Sequence, residues 1–430
     1  MNKKPSITLL FIFLFIIKAD IYSQNAPVFP RLSPDPRALE FYNLNAQGSG
    51  LTWLELASAA LWASGNTSNL NIAQHGAAQI PVDASSPLAR IYTEAAALIN
   101  SPEYPDSGRE RAEFILEYLY RNILRTYSLT QTRVDTIFTN GRYNCVSSAV
   151  LYMIFCEYSG INSSGVITRD HALLTVHISG EDIDVETTNR HGFDPGNRRE
   201  FHDQFGRLTG FTYVPARNYR DRQTINKMEL ISIIFNNRIN ELERQGRWAE
   251  AVPLAIDKAA LIYGASLNAP MQVSSAHSDS QGKLFIDPRS DLLDRLFNYG
   301  VSLLRSNREE DCLLWAAAAS SIYPDEDRWQ EFILAAVNNR MARFLRERKI
   351  TEAGNLLNDN KNLLTEENYS ALNEIILEYK AADYHNRFAA EWNRRNYTEA
   401  ERILNEALTE FPDNRQLISD REIVDRQRAR

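Results

Sequence analysis

The strongest constraint on this chain is a pairing that recurs at fixed distance through its C-terminal half. Asn237-Arg238 is followed 13 residues later by Glu250-Ala251, Asn339-Arg340 by Glu352-Ala353, and Asn386-Arg387 by Glu399-Ala400. A weaker copy links Asn298-Tyr299 to Asp311-Cys312. Thirteen residues are enough to finish one helix, turn and start the next. From about Met228 onward the apolar residues follow helical spacing, so the pattern predicts stacked helical hairpins.

The residues around these anchors resemble tetratricopeptide repeats. Tyr397, Ala400, Leu404, Ala407 and Pro412 sit at that repeat's consensus positions, and Cys312, Ala316, Ala319 and Pro324 keep the same spacing. Gly246, Trp248, Ala251 and Ala255 do so in the first copy. Small residues let the two helices of a hairpin approach closely. The copies start 61, 41 and 47 residues apart, so insertions must separate them, with Asn268 to Pro288 the clearest. The resemblance implies a surface for a protein or peptide partner.

Ahead of the repeats the hydrophobic period is mixed. Leu51 to Ala63 and Glu94 to Ile99 read as helix, and polar Asn66 to Pro87 as loop. Arg109 to Leu124 reads as a helix capped at Asp106 or Ser107, with one stripe of Phe114, Ile115, Tyr118, Leu119 and Ile123. The turn-forming run from Asn140 to Asn144 leads into a second helix, Cys145 to Tyr158, stopped by Gly160. The period then becomes two. Val166 to Thr168 is a short strand, and Ala172, Leu174, Val176 and Ile178 alternate with His171, Leu173, Thr175 and His177. After a turn at Ser179-Gly180, Ile183 and Val185 alternate with Asp184 and Glu186, which gives an antiparallel hairpin with one apolar face.

This pattern places a thiol at a helix start, where unpaired N–H groups and the helix dipole stabilise a thiolate. His171 opens a strand 26 residues later, off the apolar row. A Cys on a helix end and a His on a following strand form the nucleophile–base pair of cysteine hydrolases and acyltransferases. A third group must orient the imidazole. Glu186 lies closer to level with His171 across the hairpin and is preferred, with Asp184 as second choice. Tyr127 and Gln131 are candidate oxyanion donors. A metal held by His171, His177 and Asp184 is the weaker reading, because it leaves Cys145 unexplained; no metal or cofactor is expected. His75, His202, His277 and His385 stand isolated.

Asn144-Cys145-Val146-Ser147-Ser148, then Asp170-His171-Ala172, then Asp184-Val185-Glu186-Thr187-Thr188, together resemble the transglutaminase-like superfamily, over about Arg109 to Gly210. The resemblance implies a papain-related core, a helix carrying Cys packed on an antiparallel sheet carrying His and an acid. It implies acyl transfer at amide bonds. Glu186-Thr187-Thr188 stands where the family usually has Asp-Pro-Thr, and Val146 where animal transglutaminases carry Trp. With no acidic calcium-binding cluster, these departures point to the peptidases and amidases expected among bacterial members.

The N-terminus places this chemistry outside the cytoplasm. Lys3 and Lys4 precede an unbroken apolar run of 9 residues, Leu9 to Ile17, followed by Ala19 and Ser23. That suits a signal peptide over 1–23 and falls short of the ~20 residues a spanning helix needs. No later run is long enough to cross a bilayer. A net charge of −8 argues against nucleic acid as the main partner. Three cysteines leave at least one thiol free. Cys145 and Cys156, about 16 Å apart along one helix, cannot bridge. The expected architecture is α+β: a signal peptide over 1–23, a linker and helical segment over 24–105, a papain/transglutaminase-like domain over 106–225, and an all-α repeat domain over 226–430. The expected function is a periplasmic or secreted cysteine peptidase or amidase acting on a protein or peptide. The alternative is a non-catalytic repeat scaffold.

Overall fold

The computed structural model describes residues 29–47, 50–66, 85–169, 171–197, 199, 201, 221–264, 288–324 and 326–428. The expected signal peptide, most of the loop before Pro87 and of the insertion before Pro288, and Asp170, His75, His202 and His277 lie outside them.

Three helices come first: α1 (Pro36–Ala46), α2 (Trp53–Ala63) and α3 (Pro87–Ile99). Of the segment over 24–105, residues 29–35 are irregular, and α1 then starts at Pro36, a helix that the sequence pattern does not single out. The Asp35 carboxylate accepts the Arg37 N–H, Pro36 fills the first turn, and Arg31 and the Asp35 N–H both bind Asp257. A proline-rich run here starts a helix. α2 opens on a capping box in which Thr52 and Glu55 satisfy each other's backbone. Its Leu56 to Ala63 are buried, and it packs on the central helix described next.

That helix is α6 (Cys145–Tyr158), with the bounds expected from sequence. Val146 to Cys156 are all buried, the pattern of a helix surrounded on every side. Around it lie α2, α4 (Gly108–Asn122) and a sheet. The polar groups it carries inside are satisfied. Ser147 Oγ donates to the Gln131 carbonyl at 2.9 Å, Tyr152 Oη to that of Ala112 at 2.8 Å, and Ser148 Oγ bonds Thr187 Oγ1 at 2.9 Å. Just before it run β1 (Thr126–Tyr127), the short helix α5 (Ile137–Asn140) and β2 (Arg142–Tyr143), with β1 and β2 paired in parallel.

The sheet contains β3 (Asn162–Thr168), β4 (His171–Ile178), β5 (Glu181–Val185) and β6 (Gln223–Ile225), antiparallel in the order β5-β4-β3-β6. Ser179 and Gly180 turn β4 into β5 with φ of 52° and 87°, the two positive angles a tight primed turn requires. The turn fixes the register, pairing Thr175 with Asp184 and Leu174 with Val185. The face carrying His171 is less open than alternation suggested. Leu173 and Thr175 on it are 2% and 4% exposed, and Leu173 packs on Val166.

From Asn226 the chain forms helical hairpins. They are α7 (Lys227–Arg244) with α8 (Trp248–Tyr263), α9 (Pro288–Arg305) with α10 (Glu309–Ile322), α11 (Arg328–Arg346) with α12 (Ile350–Asp359), and α13 (Glu366–Asn393) with α14 (Tyr397–Glu410), followed by α15 (Arg415–Arg428). The fixed offset has a backbone cause. Gly246, Asn307, Arg348 and Arg395 each follow their anchor Asn by nine residues and hold φ of 72°, 56°, 59° and 61°. The next residue's N–H then reaches back to a carbonyl five residues earlier: Arg247 to Leu242, Arg308 to Leu303, Lys349 to Phe344, and Asn396 to Glu391. This is a left-handed helix cap repeated four times, with glycine at only one of the four positions. The unequal repeat spacing also has a cause, since α13 alone runs 28 residues. Its first half joins a main apolar cluster reaching from Ala38 to Ile376, and its second half joins a separate cluster from Ala381 to Val424. The main cluster continues across residues 105 and 225, so the N-terminal helices, the sheet and the first repeats share one core. Among the described residues, no helix is long and apolar enough to cross a membrane.

Candidate active site

Cys145 owes its position to the cap before it. The Asn144 side chain accepts the Ser147 N–H at 2.9 Å, and Ser147 Oγ accepts the Asn144 N–H at 3.0 Å. This box starts α6 on Cys145, so the N–H of Cys145 is among those a helix leaves without an internal partner. The thiol is half-buried. It lines the same cleft as His171 and is among the groups that raise the pKa of that ring and of the Tyr127 hydroxyl.

Glu186 is the group that orients His171. Its Oε2 lies 2.6 Å from His171 Nε2, while its Oε1 accepts from the Thr188 N–H at 3.1 Å and the Thr188 hydroxyl at 2.5 Å. Both carboxylate oxygens are therefore used, as a buried charge requires. The segment is clamped in three places. Thr187 bonds Ser148 of α6, the Thr187 carbonyl accepts from Tyr120 Oη at 3.0 Å, and the Glu186 N–H donates to the Gly192 carbonyl at 2.7 Å. Gly192 is required by contact. A Cβ there would stand 1.9 Å from the Glu186 carbonyl oxygen.

Asp184, the second choice for the acid, is engaged elsewhere. It accepts Arg222 Nη1 at 2.9 Å and Nη2 at 2.8 Å, and the Thr175 hydroxyl at 2.8 Å. By register it lies opposite Thr175, four residues along β4 from His171. Gln131 is also turned away, with its amide donating to the Arg133 carbonyl and to Thr136. Of the two suggested oxyanion donors, Tyr127 is thus the one whose hydroxyl is coupled electrostatically to Cys145. His177 bonds Asp182 at 2.6 Å and Ser164 at 3.0 Å, so its ring nitrogens are committed away from His171. Among the described residues, no group of three His, Cys, Asp or Glu side chains could hold a metal.

The electrostatics follow from burial and pairing. Burial alone would drive His171 towards neutrality, but the Glu186 charge and the hydrogen bonds with Cys145 and Glu186 outweigh it and hold the ring's pKa well above 6.5. Burial likewise opposes charge on Glu186, yet His171 and the two bonds from Thr188 hold its carboxyl below 4.5. Burial first, then Cys145 and Glu186, pushes the Tyr127 hydroxyl up to about 12, so near neutral pH it is a donor. Cys156 and Cys312 are fully buried and both pushed up to about 12, chiefly by burial.

Sequence reasoning missed the tyrosine cluster beneath the site and the wall facing it. Tyr120 Oη lies 3.0 Å from Tyr143 Oη, and the Tyr143 ring packs edge-on to Tyr120 and Tyr127. The thiol and imidazole open on a cleft of about 920 Å³ whose far wall is α7, through Asn236, Asn237 and Asn240, with Trp248 of α8. An Asn-Asn pair in a helix otherwise rich in apolar residues was the available signal.

No family profile matches this chain, and no curated protein sequence does. Among solved structures it is similar to menin, in a crystal structure described as revealing the binding site for the Mixed Lineage Leukemia (MLL) protein. That similarity has 12% identity over 91% of this chain and 93% of that chain, with a TM-score of 0.32, a value at which the superposition carries no argument about fold or function.

Proposed function

We propose that this chain carries a papain-related, transglutaminase-like cysteine centre. In it Cys145 is the nucleophile, His171 the base and acid, and Glu186 the residue that orients and charges the imidazole. One observation carries the reading: a half-buried thiol at a helix start shares an open cleft with an imidazole whose Nε2 is 2.6 Å from a buried carboxylate. The chemistry is acyl transfer. The thiol proton passes to His171, and sulfur bonds to an amide carbonyl carbon. The C–N bond breaks, and the amine leaves with the proton His171 held. Water or a second amine then attacks the thioester, returning the proton through His171 to sulfur. Charge on the carbonyl oxygen is met by the Cys145 N–H and the Tyr127 hydroxyl. The expected substrate is a protein or peptide met outside the cytoplasm.

The second reading is a tetratricopeptide-like scaffold that binds a partner without turnover. It is favoured by four stacked hairpins and by the contribution of α7 to the cleft wall. Iodoacetamide kinetics on folded protein separate the two. The catalytic reading expects Cys145 to be alkylated first and His171→Ala to slow it. A rate at Cys145 indifferent to His171 would leave the scaffold.

A further inference from the structure

The cleft over Cys145 has a neighbour. A groove of about 410 Å³ runs between the first two hairpin turns, and Trp248 lines both it and the cleft. The two depressions meet at the Trp248 side chain, the lining residue they have in common. Their chemistries differ. In the cleft, Asn236 and Asn240 stand one turn apart on α7, and each uses its carboxamide oxygen at the rear. Asn236 accepts Lys258 Nζ at 3.2 Å and Asn240 accepts Arg295 Nη2 at 3.1 Å. Their NH₂ ends have no partner among the described residues, which suits the carbonyls of an extended backbone. In the groove the lining charges are Arg247, Arg305 and Arg308 against Glu250. Arg247 is neutralised by Glu250 at 2.6 Å, and Arg308 by Asp311, also at 2.6 Å. Arg305 has neither hydrogen bond nor ion pair among the described residues and is exposed. The groove therefore carries one guanidinium with no carboxylate partner among the described residues, in a chain whose net charge is −8.

We infer that the ligand of this surface is an extended polypeptide whose backbone lies along the α7 carboxamides, crosses Trp248, and places an acidic side chain on Arg305. The inference rests on the cysteine-centre reading only for the identity of the bound chain as substrate; the binding itself needs no chemistry. A guanidinium recognises a carboxylate through two parallel hydrogen bonds, which an ammonium group cannot make. The indole supplies the apolar contact between the two polar stations.

The test uses full-length Cys145→Ala protein, so that binding is measured without turnover. The probes are fluorescein-labelled peptides with one central glutamine, flanked on both sides beyond a short spacer either by Asp-Glu or by the neutral Asn-Gln. Anisotropy should show the acidic peptide binding about fivefold tighter at low salt, the upper range for one exposed ion pair, with the advantage shrinking as salt rises. Arg305→Ala should abolish that preference while leaving neutral-peptide affinity in place, which also reports an intact fold. Arg305→Glu should reverse it. Trp248→Ala should weaken both peptides alike. Equal affinities in the unsubstituted groove, an acidic preference that survives Arg305→Glu, or no binding of either peptide would each overturn the inference. A catalytically silent Cys145 would leave these outcomes unchanged, so failure of the chemistry and failure of the docking are separately visible.

Discussion

Replacing Glu186 by Gln keeps the shape of the side chain and removes its charge. The lost interaction is a hydrogen bond of 2.6 Å between a buried carboxylate and an imidazole whose side chain is 33% exposed. Hydrogen bonds to charged groups contribute about 1.5–3 kcal/mol, and the partial exposure of the ring argues for ~2 kcal/mol. Removing that charge should lower the His171 pKa, which Glu186 helps to hold above 6.5. The sign in stability is fixed by the same shifts. His171 is raised in the folded protein, so its share of the pairing is complete below 6.5 and is lost as pH rises through the folded value. Glu186 is depressed, so its share is present above 4.5 and is lost as pH falls through the folded value. The stability gap between the parent and Glu186→Gln should thus be widest between about pH 4.5 and 6.5, and should narrow from there up to the folded His171 pKa. The assay is a pH titration of the histidine Cε1–H resonances, with His171 assigned by its absence in His171→Gln. A ring that titrates near 6.5 in the parent, or at the same pH in Glu186→Gln, would refute the assignment of Glu186.

Other perturbations separate this site from its surroundings. Asp184→Asn should leave the His171 titration in place, because Asp184 serves Arg222 and Thr175; a downward shift like that of Glu186→Gln would return the acid's role to it. Gly192→Ala should destabilise the protein by about 3 kcal/mol, the upper range for overpacking, and lower its melting temperature, since the new Cβ meets the Glu186 carbonyl at 1.9 Å. Asn144→Ala should cost about 1 kcal/mol through loss of the α6 cap, read by denaturant melts. Cys156 and Cys312 should resist alkylation until the chain unfolds, and labelling of either at the rate of an exposed thiol would contradict their burial.

What could be read from sequence tracks how local each signal is. α6 was legible to the residue because Asn144, Cys145 and Gly160 mark its ends within the chain itself. The hairpins were legible from the 13-residue recurrence of the anchors, whereas the left-handed residue inside each turn was not, since only Gly246 of the four is a glycine. Glu186 could be ranked over Asp184 from strand counting, since Ser179-Gly180 leaves little freedom in register. α1 was missed because proline-rich composition outweighed Asp35 as a cap, and the tie that holds it, Asp257, lies 222 residues away. Preferring Tyr127 to Gln131 needed the folded positions of both, and the asparagine wall needed α7 packed beside the site. Contacts between segments far apart in sequence leave no period and no spacing to count.

Cys145 is proposed to accept an acyl group with His171 as its base. Intact-mass analysis after brief mixing with p-nitrophenyl acetate should show one acetyl group added at Cys145 as one equivalent of p-nitrophenolate is released, and no such addition in Cys145→Ala or His171→Ala. An unmodified Cys145, or equal acetylation without His171, would contradict the account.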